Sequence, residues 1–169
     1  MSTIIYILPE LFLSFTIVSL LMIGVFVKKS FKLVNLLTML SLGFAIALVL
    51  NQPNEIIKIF DDSYIIDRLS IIMKVLTLLF CLFVILLSKD YLKINNIDKI
   101  EYPIIILSAV LGMLIMISSN DLIIFYLGLE LQSLCLYILA AFKRDDERST
   151  ESGLKYFVLS ALASGLLLY

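Results

Sequence analysis

Runs of apolar residues, each about as long as a bilayer is thick, alternate along this chain with short polar segments. Six such runs cover about residues 9–27, 33–50, 69–87, 102–118, 122–142 and 153–169. A helix of about 20 apolar residues spans the hydrocarbon core of a membrane. Helices also satisfy their own backbone polar groups, as lipid requires. The pattern therefore predicts an all-α, polytopic transmembrane helical bundle of about six spans.

Residues at the ends of the runs indicate where the helices begin. Pro9 stands in a first-turn position, and Glu10 lies near the positive end of the first helix. Asn120 or Asp121 is placed to cap the fifth helix. The link NQPNEIIKIFDDSYIID, between the second and third runs, has two apolar stretches around its DDS sequence. It fits either a small hairpin at the membrane surface or an irregular loop.

Basic residues are unevenly distributed between the two sets of alternating links. One set holds nine Lys and Arg residues and the other holds two. The nine are Lys28, Lys29, Lys32, Lys89, Lys93, Lys99, Lys143, Arg144 and Arg148. Short loops rich in Lys and Arg stay on the cytoplasmic or matrix side. We therefore expect the N-terminus, and after six spans residue 169, on the outer side.

Composition excludes several classes of function. The chain is 62% hydrophobic with a net charge of −1, so we expect no nucleic acid partner. It has no histidine, the usual haem ligand and general base. Cys81 and Cys135 lie in separate runs without metal-ligand spacing, which is typical of small core residues. We expect no cofactor and no metal site, so that the chemistry depends on a few charges within the helices.

Glu130 is the deepest of these charges. It lies about 13 Å along the fifth helix from Asp121, near the centre of a hydrocarbon layer about 30 Å thick. The carboxyl group must there be protonated, or be paired with a cation or with water. A group that alternates between these states is what a proton relay requires, and Tyr126, Ser133 and Tyr137 place hydroxyls on the same helix face. A purely structural hydrogen bond between helices is the alternative.

Two lysines also fall inside the runs, nearer to their ends. Lys155 lies early in the sixth run, where it can extend towards water or pair with Glu151 one turn earlier. Lys74 lies five residues into the third run and can also extend to water, whereas Asp67 is too distant for contact. Both lysines are candidates for proton transfer as well as for this snorkelling role.

Three stretches carry a resemblance to a known family: LPELFL at 8–13, DRLSIIMKVLTLL at 67–79, and the segment from FYLGLELQSLCLY to the end at 125–169. The last is the specific one, because a GLELQSL helix, a short charged loop and STESGLKYF follow in order. With these motifs the chain resembles the N-type, antiporter-like subunits of respiratory complex I (NADH dehydrogenase subunit 2). The resemblance implies that Glu130 is the essential membrane glutamate, and that Lys155 and Lys74 match lysines of the family.

The resemblance also implies a larger architecture. Members have about fourteen helices, with two inverted five-helix repeats after three leading helices. Residues 1–101 would be the three leading helices with their loops, and 102–169 the incomplete start of the first repeat. The lysine of the seventh helix, the usual partner of the glutamate, is not in this sequence. We therefore expect a separate chain that supplies the remaining helices, together with other complex I membrane-arm subunits as partners.

The implied activity is that of a subunit of proton-translocating NADH:ubiquinone oxidoreductase, with no redox chemistry in this chain itself. The implied location is the mitochondrial inner membrane or the bacterial plasma membrane, and the Ile-, Lys- and Asn-rich composition favours the mitochondrion. Two alternatives remain open. One is a cation/proton antiporter or membrane-bound hydrogenase subunit of the same superfamily, and the other is a purely structural membrane subunit.

Overall fold

The computed structural model describes residues 5–26, 31–53, 55–95 and 97–169. Six long helices follow one another within these residues, with one small hairpin between the second and the third. The helices are α1 (Leu8–Phe26), α2 (Phe31–Leu50), α3 (Arg68–Ile94), α4 (Glu101–Ser118), α5 (Leu122–Ala140) and α6 (Glu147–Leu168). The strands are β1 (Ile57–Ile59) and β2 (Tyr64–Ile66). The predicted helical bundle is confirmed; Lys28 and Lys29 lie outside the described residues.

Five of the helices, α1 to α5, are long and apolar enough to cross a membrane. The sixth predicted span, 153–169, overlaps α6 up to Leu168, and the helix begins at Glu147, earlier than the expected residue 153. The helix starts early because Asp146 caps it, accepting a hydrogen bond from the Arg148 backbone N–H at 3.1 Å. Its first turns are therefore polar. The five apolar helices α1 to α5 make the chain a multi-pass membrane protein.

Helix ends follow local capping chemistry. Asp121, rather than Asn120, caps α5, because its carboxylate accepts from the Ile123 N–H at 2.9 Å. Asp67 and Ser70 form a reciprocal capping box at the start of α3. The same helix continues to Ile94, seven residues past the predicted 69–87 run. The prediction stopped early because the SKDYLK extension is polar. Hydropathy identifies only the part of a helix that lies in lipid.

The link between α2 and α3 forms a hairpin, so the hairpin interpretation is confirmed. Its antiparallel strands pair Ile57 with Ile66 and Ile59 with Tyr64. The turn holds three consecutive residues with positive φ, at 54° for Phe60, 52° for Asp61 and 66° for Asp62. Aspartate tolerates this region better than most residues, which favours the DDS turn.

The hairpin is attached to the link between α4 and α5. The Asn120 backbone N–H donates to the Ser63 carbonyl at 2.9 Å. Its side-chain amide donates to the Asp62 carbonyl at 2.7 Å. Tyr64 forms an isolated backbone bridge with Ser119. These contacts place the hairpin at the end of the bundle where α5 begins.

One apolar core joins α1 to α4 and the hairpin. The fourth helix is central to it, because it packs against α1, α2 and α3 and also against α5. Helices α4 and α5 approach closely at two glycines: a Cβ on Gly112 would lie 2.7 Å from the Gly128 carbonyl oxygen. Helix α6 packs against α5 at the side of the bundle. The core therefore fixes α5, and α5 in turn carries α6.

Candidate functional sites

Lys74 is buried between helices and does not lie at the lipid surface. Its side chain is 0% exposed, and its Nζ donates to Glu10 Oε1 at 2.7 Å. The same Nζ donates to the Tyr64 hydroxyl oxygen at 3.1 Å and lies 5.2 Å from the Tyr64 ring centroid. The snorkelling alternative is therefore wrong for Lys74. Its partner comes from α1, 64 residues away along the chain.

Tyr64 completes this arrangement from the hairpin. Its hydroxyl donates to Glu10 Oε1 at 2.8 Å. Burial raises the pKa of the Tyr64 phenol above its ordinary value, and the neighbouring Glu10 carboxylate raises it further. The phenol therefore stays protonated and remains a hydrogen-bond donor to Glu10.

Two polar atoms beside the pair have no hydrogen-bond partner among the described residues. They are Glu10 Oε2 and Ser118 Oγ, and both are buried. The Ser118 hydroxyl lies close to the Tyr64 phenol without a hydrogen bond of good geometry. A buried polar group left without a partner costs about 1–3 kcal/mol. We call Glu10, Tyr64, Lys74 and Ser118 the Glu10 cluster.

The sequence motifs did not single out Glu10 and Tyr64 as site residues. Glu10 was explained by its place in the first turn of α1. The signal that links it to Lys74 is topological: α1 and α3 start from the same side of the membrane. Glu10 and Lys74 are the third and seventh residues of these helices. Two opposite charges at similar depth in a bundle are candidates for pairing.

Glu130 lies half-buried on the face of α5 that is turned away from α4. The backbones of Gly128 and Gln132 are the parts of α5 closest to Gly112 of α4. Glu130 is two residues from each, which is about 160° around the helix. Its carboxylate makes no ion pair within the described part of the chain. The carboxyl group therefore sits in an apolar span without a cation from these helices.

A groove of about 320 Å³ runs between α5 and α6, and its lining includes Leu129, the residue before Glu130. Its polar lining consists of hydroxyl groups from both helices: Tyr126, Ser133, Tyr137, Tyr156, Ser160 and Ser164. The first three are the residues predicted to share a helix face with Glu130, and they line one groove together. The Tyr137 and Tyr156 rings meet edge to face, with centroids 4.7 Å apart. The groove offers hydrogen-bonding groups one turn from the Glu130 carboxylate.

Lys155 lies on the open side of α6. It pairs with Glu151 at 2.6 Å, and their side chains are 70% and 63% exposed within this chain. This is the one-turn pair expected from the spacing. No two of the three predicted site residues pair with each other: Lys74 pairs with Glu10, Lys155 pairs with Glu151, and Glu130 has no ion-pair partner within the described residues.

Comparison with known proteins places these residues in context. Residues 119–169 match a family described as "NADH:quinone oxidoreductase/Mrp antiporter, TM". The chain is 56% identical over 165 residues to NADH-quinone oxidoreductase subunit N of Pelagibacter ubique, covering 97% of this chain and 35% of that protein. The subunit N proteins of Rhodospirillum rubrum and Paramagnetospirillum magneticum are 50% and 49% identical, and each match covers 96% of this chain and 34% of the relative.

The chain thus spans about a third of the length of the curated relatives it matches. The match extends over nearly all of its residues, including α1 to α3, which lie outside the family match. The resemblance found in the motifs is therefore confirmed, and the chain is homologous to the N-terminal third of NADH-quinone oxidoreductase subunit N.

Proposed function

We propose that this chain forms the N-terminal part of a membrane-arm subunit of proton-pumping NADH-quinone oxidoreductase (complex I). Its contribution is part of a proton pathway, driven by quinone reduction elsewhere in the complex, and NADH oxidation takes place in other subunits. The observation that carries the proposal is Glu130. It is a half-buried carboxyl group in an apolar span, beside a hydroxyl-lined groove and without a cationic partner from the described helices.

In this function Glu130 is the central proton carrier. Its charge in the membrane interior requires a cation or water nearby. The cation that pairs with it comes from helices outside these 169 residues, since the relatives are about three times as long. Those helices lie further along the same polypeptide or on a second one. Other complex I membrane-arm subunits are the remaining partners.

Lys74 and Lys155 take different parts. Lys74 already has an acidic partner in Glu10, and the pair lies away from the α5–α6 groove. Lys155 is on the side of α6 where further helices can pack, and its exposed pair with Glu151 can be rearranged by them. We propose that both lysines carry protons, Lys74 within the present bundle and Lys155 at its boundary with the remaining helices.

The location we propose is the bacterial plasma membrane. The relatives named above are bacterial proteins. Their names favour this location over the mitochondrial inner membrane that the composition favoured.

A second candidate function is cation/proton antiport. The description of the matching family includes Mrp antiporters beside NADH:quinone oxidoreductases. Both functions need a membrane carboxylate such as Glu130. They differ in whether an NADH-oxidising arm travels with the chain. The names of the relatives favour the oxidoreductase.

The test is a purification followed by a pumping assay. The chain is tagged in its own bacterium, and the tagged complex is isolated in mild detergent and identified by mass spectrometry. We expect NADH-oxidising subunits and the remaining subunit N helices, whose masses show whether these form a separate polypeptide. Isolation of an ion-exchanging complex without an NADH-oxidising arm would support the antiporter.

In sealed membrane vesicles, Glu130→Gln should lower NADH-driven proton pumping about tenfold or more, because glutamine cannot carry a proton. Glu147→Gln, on an exposed glutamate in the first turn of α6, is the matched control and should pump normally. If the Glu130→Gln complex pumps at the wild-type rate, Glu130 is not a proton carrier. Its role is then structural, since glutamine can still form the hydrogen bonds that hold helices together.

A further inference from the structure

The Glu10 cluster uses only part of its hydrogen-bonding capacity. Both donors to the carboxylate, Lys74 Nζ and the Tyr64 hydroxyl, reach the same oxygen, Oε1. Oε2 and the neighbouring Ser118 hydroxyl are buried and have no partner among the described residues. An ionised carboxylate accepts hydrogen bonds at both oxygens. Oε2 is therefore free to accept a hydrogen bond from a small polar molecule such as water.

Stability alone does not explain such a pair. A buried ion pair is often no more stabilising than apolar residues of the same volume. Within the described residues, Glu10 Oε2 and Ser118 Oγ also remain available as hydrogen-bonding groups beside the pair. The chemistry of the cluster, an acid and an amine in direct contact with a tyrosine, is suited to moving a proton.

The position of the cluster favours exchange with water. Glu10 and Lys74 lie in the first two turns of their helices, near the end of the bundle that the hairpin covers. The hairpin provides Tyr64, whose side chain contacts both charges. A water molecule enclosed in a protein needs two to four polar partners. Glu10 Oε2 and Ser118 Oγ provide two of them beside the same phenol.

We propose that the Glu10 cluster is a second proton-exchange site, separate from Glu130, in which Glu10 exchanges a proton with a water molecule held by Glu10 Oε2 and Ser118 Oγ. The proposal rests on the proposed function, because it assumes that the chain carries protons. It assigns a role to Glu10, Tyr64 and Ser118, and it places the site at the hairpin end of the bundle.

The Lys74 ammonium gives a proton to the Glu10 carboxylate, so that an N–H bond breaks, an O–H bond forms, and the ion pair becomes a neutral amine and a neutral acid. The acid then gives its proton to the water molecule and becomes a carboxylate again, and the hydronium ion so formed releases a proton to the solvent at the hairpin end and returns to water. The amine regains its charge from a second proton that arrives through the bundle. One proton has then crossed the cluster, and no group is oxidised or reduced.

Tyr64 acts as a positioning residue in this scheme. Its hydroxyl donates to Glu10 and accepts from Lys74, so it holds the acid and the amine together. Its backbone bridge to Ser119 fixes the hairpin over the pair. Tyr64→Phe keeps the ring and removes the hydroxyl. It should reduce pumping less than loss of Glu10 does, because the direct Glu10–Lys74 contact remains.

The experiment uses the intact complex in sealed native vesicles, with Glu10→Gln as the principal variant. Glu55→Gln, on an exposed residue of the link that forms the hairpin, is the matched control. After the amount of assembled complex is measured, NADH-driven pumping should fall about tenfold or more in Glu10→Gln and stay unchanged in the control. The infrared difference spectrum on NADH addition should show a carboxylic-acid band that Glu10→Gln abolishes and Glu55→Gln retains. Wild-type pumping by Glu10→Gln, or an unchanged band, overturns the proposal.

The double variant Glu10→Met with Lys74→Met covers the case in which a lone unpaired lysine prevents assembly. A structural pair predicts that the double variant assembles and pumps, because apolar residues can replace a buried pair. A proton-exchange site predicts that it assembles and does not pump. Failure to assemble also counts against the proposal, since the cluster would then be required for folding.

The two proposals fail in different ways. If Glu130→Gln abolishes pumping and Glu10→Gln does not, the proton-pumping function stands and the second site does not. If the chain is isolated without an NADH-oxidising complex, the proposed function itself fails.

Discussion

The two shortest ion pairs among the described residues have nearly the same length and different surroundings. Lys74 and Glu10 are 2.7 Å apart and enclosed by protein, whereas Lys155 and Glu151 are 2.6 Å apart and largely exposed. Removing one partner of a buried pair costs about 3–5 kcal/mol, because the other charge is left unpaired. An exposed pair has a median value of about 0–1 kcal/mol. Burial, and not the ion-pair distance, therefore identifies the pair that the bundle depends on.

Sequence predicted the charges and the local Lys155–Glu151 pair, but not the partner of Lys74. Periodicity placed Tyr126, Ser133 and Tyr137 on the Glu130 face, since all four residues lie on one helix. The contact of Glu10 with Lys74 joins two helices and a hairpin, and no local pattern contains that information. The contacts of Tyr64 with Glu10 and Lys74 have no local sequence pattern either, because the sequence indicates only that Tyr64 belongs to a strand.

Gly112 supports a prediction about packing. A Cβ at this position would lie 2.7 Å from the Gly128 carbonyl oxygen and 2.9 Å from the Gln132 nitrogen, both backbone atoms of α5. Gly112→Ala should therefore force α4 and α5 apart and destabilise the subunit by about 1–3 kcal/mol. The measurement is the thermal stability of the detergent-solubilised complex.

Gly43→Ala is the control for this substitution, because nothing lies within 4 Å of the added Cβ on α2. Its melting temperature should match that of the wild type. Equal stability of both variants would contradict the close approach of α4 and α5.

Among the secondary-structure elements, sequence located the helices well where apolar runs stop at a proline or a cap. The fourth run was expected at 102–118, and α4 is Glu101–Ser118. The estimates for α3 and α6 were short because those helices extend into polar sequence, where hydropathy gives no signal. The hairpin could be recognised as one of two alternatives. Its attachment to Ser119 and Asn120, far away in sequence, has no local signal.

Helix α6 carries a prediction for Lys155. If the lysine transfers protons at the boundary with further helices, Lys155→Met should lower NADH-driven pumping about tenfold or more. Glu151→Gln removes the observed ion pair and leaves the amine, so it should have a much smaller effect. Pumping by both variants is measured in the same sealed vesicles, relative to the amount of assembled complex.

If Lys155 is only a surface residue of α6, both substitutions should have the same small effect. Near-normal pumping by Lys155→Met would therefore remove it from the pathway. Lys155→Arg separates charge from proton transfer, because arginine keeps the charge and does not deprotonate in proteins.

At the scale of the whole molecule, the links between helices lie at two opposite ends of the bundle. The hairpin and the α4–α5 link meet at one end. At the other end, Lys32, Lys93 and Lys99 border a common pocket between α2, α3 and α4. These lysines belong to the basic set of links, which the charge bias predicts to lie on the cytoplasmic or matrix side. Helix α4 packs against α1, α2 and α3 as well as against α5. Its contacts therefore do not separate the three leading helices from residues 102–169, and the assignment of 102–169 to a repeat stays a prediction.

The orientation can be measured by cysteine labelling in intact cells. Glu55→Cys, in the link that forms the hairpin, should react with a membrane-impermeant thiol reagent from outside. Lys93→Cys, at the basic end, should react only after the cells are opened. Both positions are exposed, and the chain's own Cys81 and Cys135 are buried, so their background is low. The reverse labelling pattern would invert the topology inferred from loop charges.

The attachment of the hairpin to Asn120 has a consequence for biosynthesis. Asp62 and Asn120 are 58 residues apart, so the ribosome completes the hairpin well before it adds the residue that anchors it. At about 5–20 residues per second, the delay is about 3–12 s. During that time α1 and α3 can already be inserted, with Glu10 and Lys74 beneath an unanchored hairpin. The closed end of the bundle is therefore a late product of translation, formed only when the start of α5 arrives.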